Sequence, residues 1–170
     1  MRFERVTFTA FADDMRKYAP VNMTNEKMFE AWTDILLPER ATKYSAGYDV
    51  RCPIAVTIPA GEHRVIPTGI RAVFNEDEME SWHMQLYVRS SVGIKQGIVL
   101  SNSTGVIDSD YFKADNEGDF LLALHNTSDV PVTFKAGDRV CQAVFLLHGL
   151  TENDKAEGNR TGGVGSTSMG

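Results

Sequence analysis

Hydrophobic and polar residues alternate through most of the chain after Tyr48, and this pattern predicts a β-rich domain. The stretch from Ser81 to Arg89 alternates most clearly. Its apolar positions are Trp82, Met84, Leu86 and Val88, and its polar positions are His83, Gln85 and Tyr87. A period of two places one set of side chains in a core and the other outside it.

Other predicted strands follow the same pattern, separated by turns rich in Gly, Asn, Asp and Pro. They are Tyr48 to Ile58, Val65 to Phe74, Gly97 to Leu100, Phe120 to His125, Val130 to Phe134 and Arg139 to Leu147. Many short strands at this spacing are typical of an antiparallel sandwich, barrel or jelly roll. The predicted fold class is therefore all-β.

The N-terminal part is predicted to contain one strand and one helix. Arg2 to Phe11 alternates and predicts a first strand. Farther on, Thr24 is a possible helix N-cap, and the apolar residues after it recur at helical spacing: Met28, Phe29, Trp32, Ile35 and Leu36. We therefore expect one short amphipathic helix within residues 24–36, ended by Pro38.

Composition suits a single β-rich domain over residues 1–150, since 42% of the 170 residues are hydrophobic and 24% are charged. The chain shows no signal peptide or membrane span, so a cytoplasmic protein is expected. A net charge of −6 without a basic run argues against a nucleic-acid partner. Cys52 and Cys141 lie in apolar runs and are expected to be buried free thiols.

Residues 151–170 form a separate predicted arm. Five of these twenty residues are glycine and five are serine or threonine, so little in the arm can enter a core. Arg160 precedes several glycines whose backbone amides are unobstructed, as in loops that cradle phosphates. The arm is either a flexible tail or a segment that orders over a ligand.

Several familiar chemistries are absent. The sequence has no P-loop, no dinucleotide-binding glycine motif and no Gly-x-Ser-x-Gly elbow. The four histidines are dispersed without metal-ligand spacing. A direct protein metal site is therefore not predicted.

The candidate chemistry centres on the stretch from Ser103 to Tyr111. Gly105 permits close approach of the backbone or a positive φ, and Val106 and Ile107 suit a buried strand end. Asp108 then emerges beside Tyr111, which gives an acid and an aromatic surface on a rigid support. The alternative is an ordinary hairpin with Asp108-Ser109-Asp110 as its polar turn.

Three further polar clusters occur at predicted strand ends. Ala46-Gly47-Tyr48-Asp49 offers an acid beside a glycine, and Arg89-Ser90-Ser91 offers a cation and two hydroxyls suited to phosphate oxygens. Gly137-Asp138-Arg139 forms a tight turn with Gln142 on the following strand. Taken singly, each has an ordinary alternative. The first is a turn before a strand, the second is a solvated loop with an ion pair, and the third, for which the alternative is favoured, is a plain hairpin.

Taken in order, these clusters resemble the five motifs of the trimeric deoxyuridine triphosphatase (dUTPase) family. The resemblance runs from about Leu37 to Ser168 and includes Arg160-x-Gly-Gly-x-Gly-Ser-Thr as the last motif. It implies a jelly-roll fold and a homotrimer whose three active sites are shared between subunits. It also implies hydrolysis of dUTP to dUMP and pyrophosphate with Mg²⁺ bound to the triphosphate.

The same resemblance implies roles for individual residues. Asp108 would hold and deprotonate the attacking water, and Asp49 would support the water shell of the metal or the catalytic acid. The positions that match substrate-binding positions of the family are Arg89, Ser90, Ser91, Asn102, Gly105, Ile107, Tyr111, Gln142, Arg160, Gly165, Ser166 and Thr167. Backbone groups of a hairpin near Asn102 would read uracil, and Tyr111 would pack beneath the deoxyribose and exclude a 2′-hydroxyl.

The chain departs from the family pattern in three places. Val164 stands where the family usually has a phenylalanine that closes over uracil, so Phe112 or Phe120 is expected to replace it as a stacking lid. The segment after Tyr111 is longer than usual and more acidic, and residues 24–36 are an insertion. These departures fit a phage-like or Gram-positive bacterial member.

Two other functions stay open from the sequence. A deoxycytidine triphosphate deaminase of the same fold, or a bifunctional enzyme, would use a similar site. A binding module would instead contact a regulatory protein through the inserted segments.

Overall fold

The strands of the fold pair in antiparallel sheets, as the alternating pattern predicts. The computed structural model describes residues 1–19 and 21–162. The strands are β1 (Arg2–Arg5), β2 (Glu39–Arg40), β3 (Tyr48–Arg51), β4 (Val56–Ile58), β5 (His63–Pro67), β6 (Ile70–Val73), β7 (Trp82–Val88), β8 (Ile98–Leu100), β9 (Gly105–Ile107), β10 (Leu121–Asn126), β11 (Val132–Phe134) and β12 (Arg139–Leu147).

The largest sheet has the strand order β2-β3-β12-β7-β9. Its register places Gln142 between Asp49 on β3 and Tyr87 on β7. At the other edge, Ile107 on β9 faces Met84 on β7. The smaller sheets are β5-β10-β8, β1-β6 and β11-β4, which gives a jelly-roll-like arrangement.

The core lies between these sheets and follows the predicted alternation. On β7, Met84 and Leu86 are buried, and the neighbouring polar positions are only partly buried. Leu122 and Leu124 of β10 enter the same core from the three-stranded sheet. Burying a large apolar side chain stabilises the fold by roughly 1.5–3 kcal/mol.

Two of the predicted strands are each divided in two. The stretch from Val65 to Phe74 breaks at Gly69, which has a φ of +68° that glycine adopts without strain. The stretch from Tyr48 to Ile58 breaks around Pro53, which lacks the N–H needed for a ladder.

The N-terminal strand prediction is wrong beyond Arg5, because helix α1 (Phe8–Tyr18) follows directly. Thr7 caps this helix, its hydroxyl accepting a hydrogen bond from Ala10 N. The buried residues Phe11, Ala12 and Met15 lie at helical spacing. The alternation through Phe8 and Ala10 is therefore incidental to a helical stripe.

The predicted inserted helix is present as α2 (Asn25–Thr33), and Thr24 is its N-cap, accepting from Lys27 N at 3.4 Å. It ends at Thr33, before Ile35 and Leu36, so Pro38 does not terminate it. Met28 is buried, and Trp32 donates from its indole nitrogen to Val6 O at 2.9 Å. These contacts attach the insertion to the β domain.

A third helix, α3 (Ser90–Gln96), follows β7 where the sequence predicted a loop. Arg89 occupies its N-cap position without a capping side-chain hydrogen bond. Its C-cap is Gly97, whose left-handed conformation with a φ of +68° closes the helix. This helix was not predicted, because no capping residue precedes it and because Gly93 in its interior has a low helix propensity.

Both cysteines are free and buried, as predicted. Burial raises the pKa of the Cys52 thiol to about 11 and that of the Cys141 thiol to about 12. Among the described residues, no helix has the length and apolarity needed to cross a membrane.

Candidate active site

Asp108 leaves the sheet directly after β9. Gly105 permits this edge strand to pack closely on β7, because a Cβ there would lie only 3.2 Å from the Leu86 Cβ. Ile107 is buried and fixes the strand end. The Asp108 side chain is 55% exposed, so a rigid element presents its carboxylate to solvent.

Arg160 lies against this carboxylate. Its guanidinium pairs with Asp108, and its Nε lies 2.7 Å from Asp110 Oδ1. Its Cζ also lies 5.6 Å from the centre of the Tyr111 ring. Partial burial alone would lower the pKa of Arg160, but the two carboxylates together raise it. The C-terminal arm thus returns to the β domain at Arg160.

Tyr111 opens a single 3₁₀ turn over residues 111–113 and is only 7% exposed. Its backbone N–H donates to Asp108 O at 3.1 Å, which fixes the backbone of Tyr111 relative to that of Asp108. Its phenol donates to Asp119 O at 3.3 Å and accepts from Asn116 Nδ2 at 3.2 Å. Burial raises the pKa of Tyr111, so the phenol stays protonated at neutral pH.

An open cleft adjoins these residues. It is lined by His83, Val106, Asp108, Ser109, Asp110, His148, Ala156 and Arg160. We call Asp108, Asp110, Tyr111 and Arg160 the acidic-end cluster.

A second cluster lies at the other end of β7. Asp49 is buried, and its carboxylate receives Arg89 Nε at 2.9 Å and Arg139 Nη1 at 3.1 Å. Gln142 lies beside Asp49 in the sheet register and packs over Gly47, where a Cβ would meet the Gln142 Oε1 at 2.3 Å. We call Asp49, Arg89, Arg139 and Gln142 the arginine-end cluster.

The two clusters of one chain are far apart. Asp49 on β3 is aligned with Tyr87 on β7, because both pair with Gln142 on β12. Asp108 follows Ile107, which pairs with Met84 on β7, so Asp108 lies level with His83. Four residues along the strand and three strand spacings across the sheet amount to roughly 20 Å. One phosphate group cannot form hydrogen bonds of about 3 Å with both clusters of the same chain.

The remaining predicted positions are mostly exposed. Ser90 and Ser91 begin α3, and Asn102 lies in the exposed turn between β8 and β9. The strands that flank this turn belong to different sheets, so the expected paired hairpin is not formed there. The predicted residues Gly165, Ser166 and Thr167, together with Val164, lie outside the described residues.

One of the two predicted lid residues is wrong. Phe120 is fully buried at the start of β10, where its N–H donates to Ile70 O at 3.1 Å, so its ring has no free face for a base. Phe112 is half-buried, with the Lys113 ammonium 5.6 Å from its ring centre. Phe112 stays the predicted lid.

Sequence reasoning left out Asp110 and Arg139, which complete the two clusters. Arg139 is the last residue of the predicted turn Gly137-Asp138-Arg139, and Asp110 is the last residue of the polar turn Asp108-Ser109-Asp110. Opposite charges on adjacent strands were the available signal, because β3 and β12 were both predicted. The pairing of β3 with β12 could not be predicted, because local alternation does not contain the order of strands in a sheet.

Fold and site together define a jelly-roll-like β protein with paired carboxylate and arginine clusters, a chemistry suited to phosphorylated ligands. The dUTPase family model matches residues 33–168. A deoxyuridine 5′-triphosphate nucleotidohydrolase from Lactococcus lactis is 40% identical over 136 residues, which cover 78% of this chain and 88% of that protein. The chain therefore belongs to the dUTPase family.

Solved structures agree with this assignment. The dUTPase from Streptococcus mutans is 32% identical, with a TM-score of 0.68 over 90% of this chain and all of that one. A dUTPase of the staphylococcal phage 80alpha, solved with dUpNHpp, has a TM-score of 0.60 over 72% of this chain and 82% of that one. At 23% identity the phage protein shares the fold alone.

Proposed function

We propose that this chain is a dUTP diphosphatase, which hydrolyses dUTP to dUMP and pyrophosphate. The observation that carries the proposal is the exposed Asp108 carboxylate beside the buried Tyr111, on a rigid strand end of a dUTPase-family fold. The relatives named deoxyuridine 5′-triphosphate nucleotidohydrolase support the same substrate.

Asp108 acts as the general base in this proposal. Its carboxylate accepts a proton from the water that attacks the α-phosphate, and such assistance typically contributes ~10²–10⁴-fold to the rate. The Arg160 guanidinium lies beside this base and pairs with Asp108 and Asp110. When a triphosphate binds, its oxygens replace these carboxylates as partners of the guanidinium. The Asp108 carboxylate is then free to accept a proton from the attacking water.

The substrate phosphates also need the arginine-end cluster. Asp49 holds Arg89 and Arg139 by ion pairs, so it acts mainly by positioning these cations. Arg89, Ser90, Ser91 and Gln142 contact phosphate oxygens, and Gly165, Ser166 and Thr167 close over the terminal phosphate.

The separation of the two clusters supports a site that is shared between copies of the chain. Because roughly 20 Å separates them within one chain, a site that uses both must take one cluster from each of two copies. The family resemblance supports three such sites per trimer, with Arg160 available to a neighbouring subunit in the assembled protein.

Magnesium fits this arrangement as an ion carried by the substrate. Among the described residues, no three His, Cys, Asp or Glu side chains are grouped closely enough to hold a metal. In this proposal phosphate oxygens and water are the main ligands, and Asp49 supports the water shell. When bound, the ion neutralises charge on the departing pyrophosphate. A related phage phi11 dUTPase structure is described with a structural Mg(II) ion.

Selection of deoxyuridine uses Tyr111, Asn102 and the half-buried Phe112. The Tyr111 ring packs beneath the sugar and leaves no room for a 2′-hydroxyl, and Gly105 and Ile107 of β9 also contact the substrate. The backbone near Asn102 pairs with uracil, and Phe112 stacks on it.

Pyrophosphate release tests the proposal directly. The chain is assayed with dUTP, dTTP, dCTP and UTP, each with and without Mg²⁺, alongside Asp108→Asn and the control Asp129→Asn. Asp129 is exposed and lies in neither cluster, so its variant tests the same chemical change elsewhere. We expect Mg²⁺-dependent turnover of dUTP only, lost in Asp108→Asn with nucleotide binding retained.

Two outcomes would contradict the proposal. Retained turnover in Asp108→Asn would remove the assigned base. Ammonia release from dCTP, in place of pyrophosphate release from dUTP, would identify a deaminase of the same fold.

A further inference from the structure

The buried side of Tyr111 contacts a polar network that the predicted site does not include. Asn116 Nδ2 lies 3.2 Å from the Tyr111 phenol oxygen, 3.0 Å from Asp119 O and 3.0 Å from Asp14 Oδ2. The phenol in turn donates to Asp119 O. Both hydrogen-bonding functions of the phenol are therefore used inside the protein.

This network reaches helix α1. Asp14 lies on α1 and is only 6% exposed, so Asn116 supplies its carboxylate with a buried donor. The next residue, Glu117, accepts from the Thr7 N–H at 2.9 Å and from the Thr7 hydroxyl at 2.6 Å. Two consecutive residues thus attach the segment after Tyr111 to the N-terminal helix.

The segment is also fixed from its other side. The Asp119 Oδ1 accepts from Gly69 N at 2.8 Å and from the N–H and hydroxyl of Thr68, each at 3.1 Å. Gly118 has a φ of +80°, and a Cβ there would lie 2.5 Å from Phe112 Cα. The backbone around Asn116 therefore has little freedom to move.

One departure from the family pattern, the longer segment after Tyr111, meets helix α1 in this network. The longer segment supplies Asn116 and Glu117, α1 supplies Asp14, and the N-cap of α1 supplies Thr7. The family model begins at residue 33, so α1 lies wholly outside the matched region. The chain itself provides an anchor for the tyrosine from outside the family's common core.

We infer that Asn116, held by Asp14 of α1, is a positioning residue that fixes the Tyr111 ring for recognition of the deoxyribose. This inference rests on the proposed function, in which Tyr111 contacts the sugar. A ring held from behind at its hydroxyl cannot tilt to admit a 2′-hydroxyl, so the network contributes to discrimination between dUTP and UTP.

Steady-state kinetics of four variants test this role. In Asn116→Ala, we expect the KM for dUTP to rise about 3- to 10-fold, the cost of one hydrogen bond, with kcat changed less than 2-fold. The preference for dUTP over UTP should fall by a similar factor. Asp115→Ala is the matched control, because Asp115 is the exposed neighbour in the same segment.

The other two variants separate the anchor from general stability. Asp14→Asn keeps an acceptor for Asn116 and should behave as the unmodified protein, whereas Asp14→Ala should reproduce part of the Asn116→Ala effect. If Asp14→Ala leaves KM and the dUTP/UTP preference unchanged, α1 has no part in positioning the ring.

A substrate-free measurement keeps this test distinct from the proposed function. With ¹³Cζ-labelled tyrosine, the resonance that disappears in Tyr111→Phe identifies this ring. We expect it to shift in Asn116→Ala and to stay in place in Asp115→Ala. An unshifted resonance with unchanged KM overturns the inference while dUTP hydrolysis stands. A shifted resonance in a protein that never hydrolyses dUTP overturns both the proposed function and the role in sugar recognition.

Discussion

Asp49 and Arg89 form an ion pair across the main sheet, with Arg89 Nε 2.9 Å from Asp49 Oδ1. The other oxygen of the same carboxylate receives Arg139. Asp49 is 10% exposed at its side chain, whereas the two arginines are 27% and 44% exposed. The buried acid therefore fixes two cations that still face solvent, as a phosphate-binding surface requires.

Asp49→Asn should weaken the grip on the substrate phosphates, because the amide keeps the shape but removes the charge that holds both arginines. A charge-assisted hydrogen bond contributes about 1.5–3 kcal/mol, so kcat/KM for dUTP should fall about 10- to 100-fold. Glu62→Gln is the control, since it removes the charge from an exposed pair with Arg64. Equal kcat/KM values for the two variants would refute the positioning role of Asp49.

Gly47→Ala should disturb binding without unfolding the protein. A Cβ at this position would meet the Gln142 Oε1 at 2.3 Å and Cδ at 2.9 Å, so the amide must swing away from its place beside Asp49. We expect a higher KM for dUTP with little change in melting temperature. Gly149→Ala, where a Cβ meets nothing within 4 Å, should change neither quantity.

The strands could be predicted from the sequence because alternation reports directly on burial. Met84 and Leu86 were assigned to the core side of β7 in this way, and both are buried. Helix α1 was not predicted, because Val6, Phe8 and Ala10 fit the strand period of two. The helical face becomes visible only when Phe11 and Met15 are considered together.

The site could be predicted only in part. Asp108 and Tyr111 were assigned from a local stretch, and they do lie together. The ion pair of Asp49 with Arg139 depends on the register of the sheet. The ion pair of Arg160 with Asp110 depends on the C-terminal arm folding back onto the domain. Local sequence patterns contain neither kind of information. Asn116 was hidden for the same reason, since its partner Asp14 is 102 residues away.

Arg160→Ala should reduce activity and leave the fold intact. Arg160 touches Asp108, Asp110 and the Tyr111 ring but contributes nothing to the hydrophobic core. Turnover of dUTP should fall at least about 10-fold, as expected for a lost charge-assisted contact with phosphate, while the thermal transition persists. Lys155→Ala, an exposed cation in the same arm, is the control.

A chain ending at Asn159 should behave like Arg160→Ala in thermal unfolding. If this shortened chain loses its cooperative transition, the arm is part of the folded core and its assignment as a separate segment is wrong.

Gly118→Ala should destabilise the turn beneath Tyr111. The φ of +80° strains any L side chain by roughly 1–2 kcal/mol, and the Cβ would also lie 2.5 Å from Phe112 Cα and 2.8 Å from Tyr111 O. Gly61→Ala is matched in backbone, with a φ of +71°, but its Cβ meets nothing within 4 Å. Urea unfolding should show a larger loss for Gly118→Ala, and equal losses would mean that the turn relaxes freely.

Asp119 should make the stability of the fold depend on pH. Its complete burial, with a further contribution from the charge of Asp14, raises its pKa to about 8, although Thr68 and Gly69 donate hydrogen bonds that oppose the shift. Its Oδ2 is buried and has no hydrogen-bond partner among the described residues, which penalises the charged form most. The folded chain therefore keeps a proton that the unfolded chain releases near pH 4.

That proton stabilises the fold fully below about pH 4, and the contribution is lost as the pH rises towards 8, with a slope of at most ~1.4 kcal/mol per pH unit. Asp119→Asn keeps the acceptor at Oδ1 and cannot ionise. Between pH 5 and 8, the free energy of unfolding should therefore fall in the unmodified protein relative to Asp119→Asn, and the difference should level off above pH 8. The exposed Asp129→Asn should show no such trend. Parallel curves for the unmodified protein and Asp119→Asn would mean that Asp119 is ionised in the fold, in which case the buried side of Tyr111 would face a charge.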